Sequence, residues 1–319
     1  MIQLMFLLFQ PKIDYSDRYG GKVHRFLCSS SGVSKLRKYL GLAAYMSIVA
    51  GTVFLVYCAF WLPDFRLWCK MGDFNQKGKS PDSFLLMREK ERSAYDRLMH
   101  YILHPEAPCQ TMEVLGGKRG RNKKFDGDKV ICLEPGPGLN EDCIVYSFGI
   151  ANEWSFDESI HEMFGCQVFS FDPSMGIGDH RHGDGIMFYN MGVGEFDGKI
   201  TVSGQTWNMR TFDSILKHLG HWNKTIDVLK LDIEGAEYLV LEDILEKRLL
   251  NHVNHLCIEI HLPDNPYWTW VLRLLRRIEV EAGLRHFSTR NNTQMPPMRV
   301  PGFYARYEQH FFEMAWYRH

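Results

Sequence analysis

Through the second half of the chain, short apolar runs alternate with longer stripes in which apolar residues recur every three or four positions. Ile144 to Phe148 is such a run and stops at Gly149. The stretch from Phe156 to Phe164 then places Phe156, Ile160, Met163 and Phe164 on one helical face, and Val168 to Phe171 is a second run, stopped by Asp172. Strand, helix and strand in this order predict a βαβ unit with a right-handed crossover. After a polar loop from Pro173 to Gly185, the pattern predicts strand Ile186 to Asn190, a short strand Lys199 to Val202 and helix Thr211 to Leu219. It continues with strand Asp227 to Leu231, helix Tyr238 to Leu249, strand His255 to Ile260 and helix Trp268 to Ala282, which Gly283 would cap. Arg285 to Thr289 and Phe311 to Tyr317 close the series as strands that can pair antiparallel, since no long helical pattern separates them. The whole predicts an α/β fold built on an open sheet.

Upstream of this core, Phe84, Met87, Tyr95, Leu98, Met99 and Ile102 recur at helical spacing, so Asp82 to Leu103 reads as an amphipathic helix ending before Pro105. A glycine-rich polar stretch from Gly116 to Asp128 leads to strand Lys129 to Leu133, stopped by Glu134-Pro135-Gly136-Pro137-Gly138. Leu40 to Leu62 contains no charged side chain and, at 1.5 Å per residue, is long enough for a hydrocarbon core of about 30 Å. We read it as a transmembrane signal-anchor helix. Lys35, Arg37 and Lys38 precede it and Arg66 and Lys70 follow more sparsely, so the positive-inside rule predicts a type II protein with a lumenal or extracellular catalytic part; a secreted form is the alternative. The expected organisation is a tail over 1–39, the membrane helix over 40–62, a stem over 63–81, an extension or lid over 82–142 and the catalytic core over 143–319.

Composition narrows the function. A hydrophobic content of 45% in 319 residues supplies one sizeable core, and a net charge of -1 offers no global attraction for nucleic acid. The basic run from Lys118 to Lys124 reads as a solvated loop. Six cysteines, Cys69, Cys109, Cys132, Cys143, Cys166 and Cys257, follow the membrane segment and are compatible with disulfides in any of several pairings. Cys257 lies in an apolar strand and reads as a buried thiol. Their spacing does not suit structural zinc, and Asp179-His180-Arg181-His182 reads as an exposed loop rather than a metal site. Asn223-Lys224-Thr225 and Asn291-Asn292-Thr293 fit the glycosylation acceptor pattern.

The chemistry gathers at strand ends. Gly149-Ile150-Ala151-Asn152 turns from a strand toward a helix, where a small residue lets a ligand approach the backbone. Asp172 ends the next strand, where a carboxylate can accept hydrogen bonds from a ribose. A dinucleotide or S-adenosylmethionine could bind this way, and the missing phosphate-binding glycines favour the latter. Asp232, Glu234, Glu259 and His261 come from two further strand ends. Asp232 with Glu259 or His261 could hold a hard divalent cation, or one of them could act as base on an acceptor hydroxyl. Acids from Asp232 to Glu237 are also what the start of any helix favours.

Tyr146-Ser147-Phe148-Gly149-Ile150-Ala151-Asn152-Glu153 together with Leu229-Lys230-Leu231-Asp232-Ile233-Glu234-Gly235-Ala236-Glu237 resembles the FkbM-type methyltransferase family, and within it the animal methyltransferase-like protein 24 group. The resemblance covers about Cys109 to Trp316. It implies a class I methyltransferase, a Rossmann-like seven-stranded sheet with S-adenosyl-L-methionine as donor, and O-methylation as the reaction. By matching motifs it implies that Ser147, Phe148, Gly149 and Asn152 line the methionine portion of the donor, that Asp172 holds the ribose, and that Asp232 and Glu234 lie beside the transferred methyl. The sequence departs from the usual Asp/Glu-x-Gly-x-Gly pattern, with Ser147 in place of the acid and Ala151 in place of the second glycine. The acceptor expected is a small molecule or glycan. A catalytically inactive binding protein of the same fold is the alternative, and a glycosyltransferase, prompted by the type II topology, is the weaker one.

Overall fold

A computed structural model describes residues 81–319 apart from 120–124, 264–266, 293–294, 301–302 and 304. The tail, membrane helix and stem expected before residue 81 lie outside these residues. Among the described residues no helix is long and apolar enough to cross a membrane.

The described residues begin with helix α1 (Pro81–Leu103) and a hairpin of β1 (Thr111–Leu115) against β2 (Lys129–Glu134). There follow β3 (Ile144–Phe148), α2 (Ser155–Phe164), β4 (Gln167–Phe171), β5 (His180–Arg181) and β6 (Ile186–Tyr189). A small sheet comes next, from β7 (Gly192–Val193), β8 (Gly198–Val202) and β9 (Gln205–Arg210), and then α3 (Phe212–His218). The final elements are β10 (Ile226–Leu231), α4 (Glu237–Glu246), β11 (Val253–His261), α5 (Trp268–Ala282), β12 (Leu284–Asn291) and β13 (Phe311–Arg318).

The main sheet runs in the order β12-β13-β11-β10-β3-β4-β6-β5. Strands β11, β10, β3, β4 and β6 are parallel, while β13 lies antiparallel between β11 and β12, as the sequence suggested for the last pair. Where seven strands were expected there are eight; the additional one is the two-residue β5, paired with β6 at the sheet edge. From β3 the chain passes outward through β4 to β6, then returns to build β10 and β11 on the other side. That reversal between β3 and β10 is the switch point at which open α/β sheets leave a crevice beyond the strand ends.

Side chains alternate across the sheet, so neighbouring residues of one strand enter different layers. Tyr146 and Phe148 join α1, α3, α4 and α5 on one face, among Leu98, Ile102, Phe212, Leu241, Ile244, Trp268 and Trp316. Val145 faces the other way, with Val168 and Val228, against Phe156 and Ile160 of α2 and Leu115, Val130 and Ile131 of the hairpin. Each such large side chain fully removed from water contributes about 1.5–3 kcal/mol. A disulfide joins Cys109 to Cys132 at the base of the hairpin, a second joins Cys143 to Cys166 across the ends of β3 and β4, and Cys257 is a buried thiol.

Helix α5 begins and ends where the pattern placed it, with Gly283 left-handed at φ 67° as its cap. The helix expected to reach Leu249 stops at Glu246 because Arg248 turns left-handed at φ 56°, and Leu249–His252 forms a separate 3-10 turn. Strands β1 and β9 were not anticipated. Their residues are mostly exposed or half-buried, so the runs Thr111–Leu115 and Gln205–Arg210 lack the apolar alternation of a core strand.

Candidate functional site

Register assembles the site. Phe148 pairs with Phe171 on β4 and with Leu231 on β10, and Leu231 pairs with Ile258 on β11. One residue beyond these pairs, Asp172, Gly149, Asp232 and Glu259 form a row along the C-terminal edge of the parallel strands. Glu313 extends the row through its pairing with Glu259, and Arg290 through its pairing with Glu313. Residues far apart in sequence thus meet because the ladder leaves them no other place.

At the left of this row Gly149 takes φ 73°, and a Cβ there would lie 1.6 Å from the carbonyl oxygen of Asp232. Only glycine fits. Ala151 and Asn152 follow with φ of 46° and 60°, so the turn keeps a left-handed backbone although the expected second glycine is replaced by alanine. Asp172 holds that turn: its Oδ2 accepts from the Ala151 amide at 2.7 Å, while its Oδ1 accepts from the Ser174 amide at 2.7 Å and the Ser174 hydroxyl at 2.6 Å. A carboxylate offers about four acceptor positions, so Asp172, with three hydrogen bonds accepted, keeps one for a further donor.

Two of the residues expected to line the donor do not present side chains to it. Ser147 is 0% exposed and donates to Asp157, and Phe148 is buried against Phe171 with ring centroids 4.5 Å apart. Pleating directs both side chains into the core layers. Asn152 is exposed at the rim, its Oδ1 accepting from the Trp154 indole at 3.1 Å.

The right of the row is acidic. Lys129 Nζ lies 2.6 Å from Glu313 Oε2 and 3.4 Å from Asp232 Oδ2, and Lys230 Nζ lies 3.9 Å from the same Asp232 oxygen. Burial resists ionisation of Asp232, but Lys129 and Lys230 hold its carboxyl well below the usual carboxylate range. Glu259 goes the other way: burial, then the charges of Asp232 and Glu313, push it up to about 9. The two carboxyl groups share a hydrogen bond, with Glu259 the protonated partner at neutral pH, and Asn292 Nδ2 donates to Glu259 Oε1 at 2.6 Å.

His261 ends β11 with Nδ1 3.1 Å from Glu237 Oε1 and Nε2 3.7 Å from Glu234 Oε2. Burial would lower its pKa, but the hydrogen bond and charge of Glu237 raise it to about 10. Glu237 is 0% exposed, and its Oε1 also accepts from the amides of Ile233 and Gly235 at 3.0 and 3.2 Å. One buried carboxylate therefore shapes the Asp232–Glu237 turn and orients the imidazole. Glu234, left-handed at φ 56° with its side chain 72% exposed, stands at the rim and not among the buried acids. Asp232, Glu259 and His261 bring donor atoms within 4.8 Å of one another, a spacing wide enough for a small cation. Asp232 Oδ2, however, already faces two ammonium groups.

Lys129, Lys230, Glu237 and Glu313 were missed as site residues. A charge inside an apolar strand was the available signal for Lys230 and Glu313, whereas the part Lys129 plays depends on how the hairpin docks. The Asp-x-Asp spacing that many glycosyltransferases use does occur, at Asp126-Gly127-Asp128. The Asp128 carboxylate is ion-paired with Arg290, whose Nη2 also donates to the Asp128 carbonyl at 2.9 Å. His182 stacks on Trp154 with centroids 3.7 Å apart and meets Glu158 at 2.9 Å, which is packing rather than metal ligation.

Comparison with known proteins agrees with this geometry. Probable methyltransferase-like protein 24 of Homo sapiens is 33% identical over 125 residues, 39% of this chain and 34% of that protein. Its counterpart in Rattus norvegicus is 31% identical over 140 residues, 42% of this chain and 38% of that protein. The matches thus span little more than a third of the length of these relatives. Neither name carries the narrower FkbM label. A family model described as a methyltransferase domain matches residues 70–312, most of the chain, and the protein belongs to that methyltransferase domain family.

Proposed function

We propose that the protein is an S-adenosyl-L-methionine-dependent methyltransferase that methylates a hydroxyl of a small molecule or glycan, along the lines of the FkbM-type O-methyltransferases. The observation that carries this reading is the meeting of Gly149, Asp172 and Asp232 in one row at the switch point of the sheet. The residues suit that donor. The left-handed turn from Gly149 to Asn152 exposes backbone at the crevice, Asp172 keeps one acceptor position beside it, and the ionised Asp232 suits a positively charged sulfonium. Bound there, the donor would supply an electrophilic methyl group. On the acceptor side Asp232 is the ionised acid of the row, able to accept the hydrogen bond of an acceptor hydroxyl, with Glu259 as its hydrogen-bonded neighbour and His261 held by Glu237.

Calorimetric titration tests the reading directly. The wild-type protein is expected to bind S-adenosyl-L-methionine saturably, and Gly149→Ala to lose that binding. A wild-type protein that gives neither heat nor a thermal shift with saturating donor overturns the assignment and favours a non-catalytic member of the fold.

A membrane-anchored, type II protein with a lumenal domain is the placement proposed with it. Two disulfides are at home in an oxidising compartment, and both candidate glycan acceptors, Asn223 and Asn291, are exposed. Glycosidase treatment of the full-length protein is expected to shift its mobility. A chain that never acquires glycans at either site argues for a cytosolic domain.

A further inference from the structure

The row of acids poses an electrostatic problem. Asp232, Glu259 and Glu313 stand side by side along one edge of the sheet, and carboxyl groups this close cannot all ionise together. Lys230, two residues before Asp232, has its ammonium engaged with the carbonyl oxygens of Phe148 and Gly149, each at 3.2 Å. The cation that reaches between the acids comes from outside the main sheet. It belongs to Lys129, the first residue of β2, whose side chain is 1% exposed and spans Glu313 and Asp232.

We propose that Lys129 is a positioning residue of this site. Spanning Glu313 and Asp232, it holds the Asp232 carboxyl group in place along the row and thereby makes the β1–β2 hairpin part of the methyl-transfer apparatus.

The hairpin is anchored as that role requires. Cys132 is tied to Cys109 by a disulfide, and its carbonyl lies 2.9 Å from His255 Nε2. The Cys257 thiol donates to the Val130 carbonyl at 3.5 Å, and the Tyr317 hydroxyl donates to the Pro108 carbonyl at 2.9 Å. With its backbone held on both sides of the strand, Lys129 can extend in one direction only. The groups that face Asp232 are Lys129 from the hairpin, Lys230 from β10, Glu259 and His261 from β11, and Glu313 from β13. Without Lys129, Asp232 would be opposed by Lys230 and His261 alone, and Glu313 would lose its 2.6 Å partner. The buried ammonium is itself held in the charged state against its burial by Glu313 and Asp232, so the arrangement is mutual.

The consequence for methyl transfer rests on the function proposed above, whereas the charge state of Asp232 does not. The test uses the full-length chain carrying 13C at its aspartate side-chain carboxyls, with the Asp232 resonance identified by its loss in Asp232→Asn. In the wild type that resonance is expected to remain that of a carboxylate across the pH range in which the protein is folded. In Lys129→Met its midpoint should rise by about one to three pH units, and Lys129→Arg should restore the wild-type behaviour. Should Lys129→Met not fold, Lys129→Met/Glu313→Gln, which removes one cation and one acid together, carries the same readout. An Asp232 resonance that titrates in the Lys129-less protein as it does in the wild type overturns the proposal. Failure of the wild type to bind S-adenosyl-L-methionine would sink the methyltransferase reading and leave this titration intact.

Discussion

The two faces of the main sheet are built on different principles. One is covered by α1, α3, α4 and α5 and is a continuous field of aliphatic and aromatic side chains, from Leu98 and Ile102 to Trp268 and Trp316. The other is covered by α2 and a disulfide-closed hairpin, and through it runs a buried polar seam. In that seam Asp157 accepts from Ser147 and Ser170, and Lys129 bridges Glu313 and Asp232. The first face is stabilised by area and the second by pairing. Losing an atom from the first leaves a hole, whereas losing one from the second leaves a charge without a counterpart, which is why chemistry can be kept on the second face while the first carries the stability.

Four experiments press on that contrast. Trp268→Ala empties the centre of the helical face, where Trp268 is 0% exposed and its ring lies 5.0 Å from that of Tyr95. Chemical denaturation should show a loss of about 3–5 kcal/mol, with the Asp232 carboxyl resonance unmoved. Cys109→Ala/Cys132→Ala opens a crosslink spanning 23 residues and should cost about 3 kcal/mol. Because β2 carries Lys129, this variant should also disturb the Asp232 resonance, which is how the two faces are told apart.

Glu237→Gln is expected to cost about 1.5–3 kcal/mol, the range for hydrogen bonds to charged groups. NMR of the His261 ring should show its pKa falling from about 10 toward the ordinary 6.5. An unchanged His261 would mean that Glu237 only shapes the turn. The last variant is Glu259→Gln, an isosteric stand-in for the protonated acid, which should leave stability nearly unaltered at about pH 4 and raise it above the wild type at neutral pH. Its signature is in the pH profile. Glu259 keeps its proton in the folded state up to about 9, while the unfolded chain loses it near the ordinary 4.5, so wild-type stability should decline as pH rises through that window. His261 adds to the decline, its contribution being fully present below 6.5 and lost as pH climbs to about 10. The Gln variant should show the shallower slope that His261 alone provides, measured as the thermal midpoint against pH.

Much of the helical face was legible in the sequence because burial on that side leaves a pattern. Phe212, Ile215 and Leu216 mark α3, and the fifteen residues of α5 with Gly283 behind them mark an element at both ends. The left of the row was equally visible, since Gly149 and Asp172 stand where apolar runs stop. What escaped reading depends on contacts between distant segments. Thr111–Leu115 is a strand because β2 pairs with it, and its exposed Met112 and Val114 look like any loop residues until that partner is known. Lys129 opens a run that was read as a plain strand, and nothing adjacent to it in sequence announces Glu313, 184 residues away. The side chains of Ser147 and Phe148 are turned into the core by pleating. A motif records which residues stand at a strand end, while the alternation of the strand decides which of them look outward.

The shared register of Asp172, Gly149, Asp232, Glu259 and Glu313 has an evolutionary consequence. Because strand side chains repeat every two residues, deleting one residue within β10 or β11 would carry an acid to the opposite layer, among tryptophans and leucines with no ammonium in reach. A gain or loss of length within those strands would dismantle the edge in a single event. Drift in chain length should therefore accumulate in the connections, such as the loop between Pro173 and Gly185, and stop abruptly at the strands.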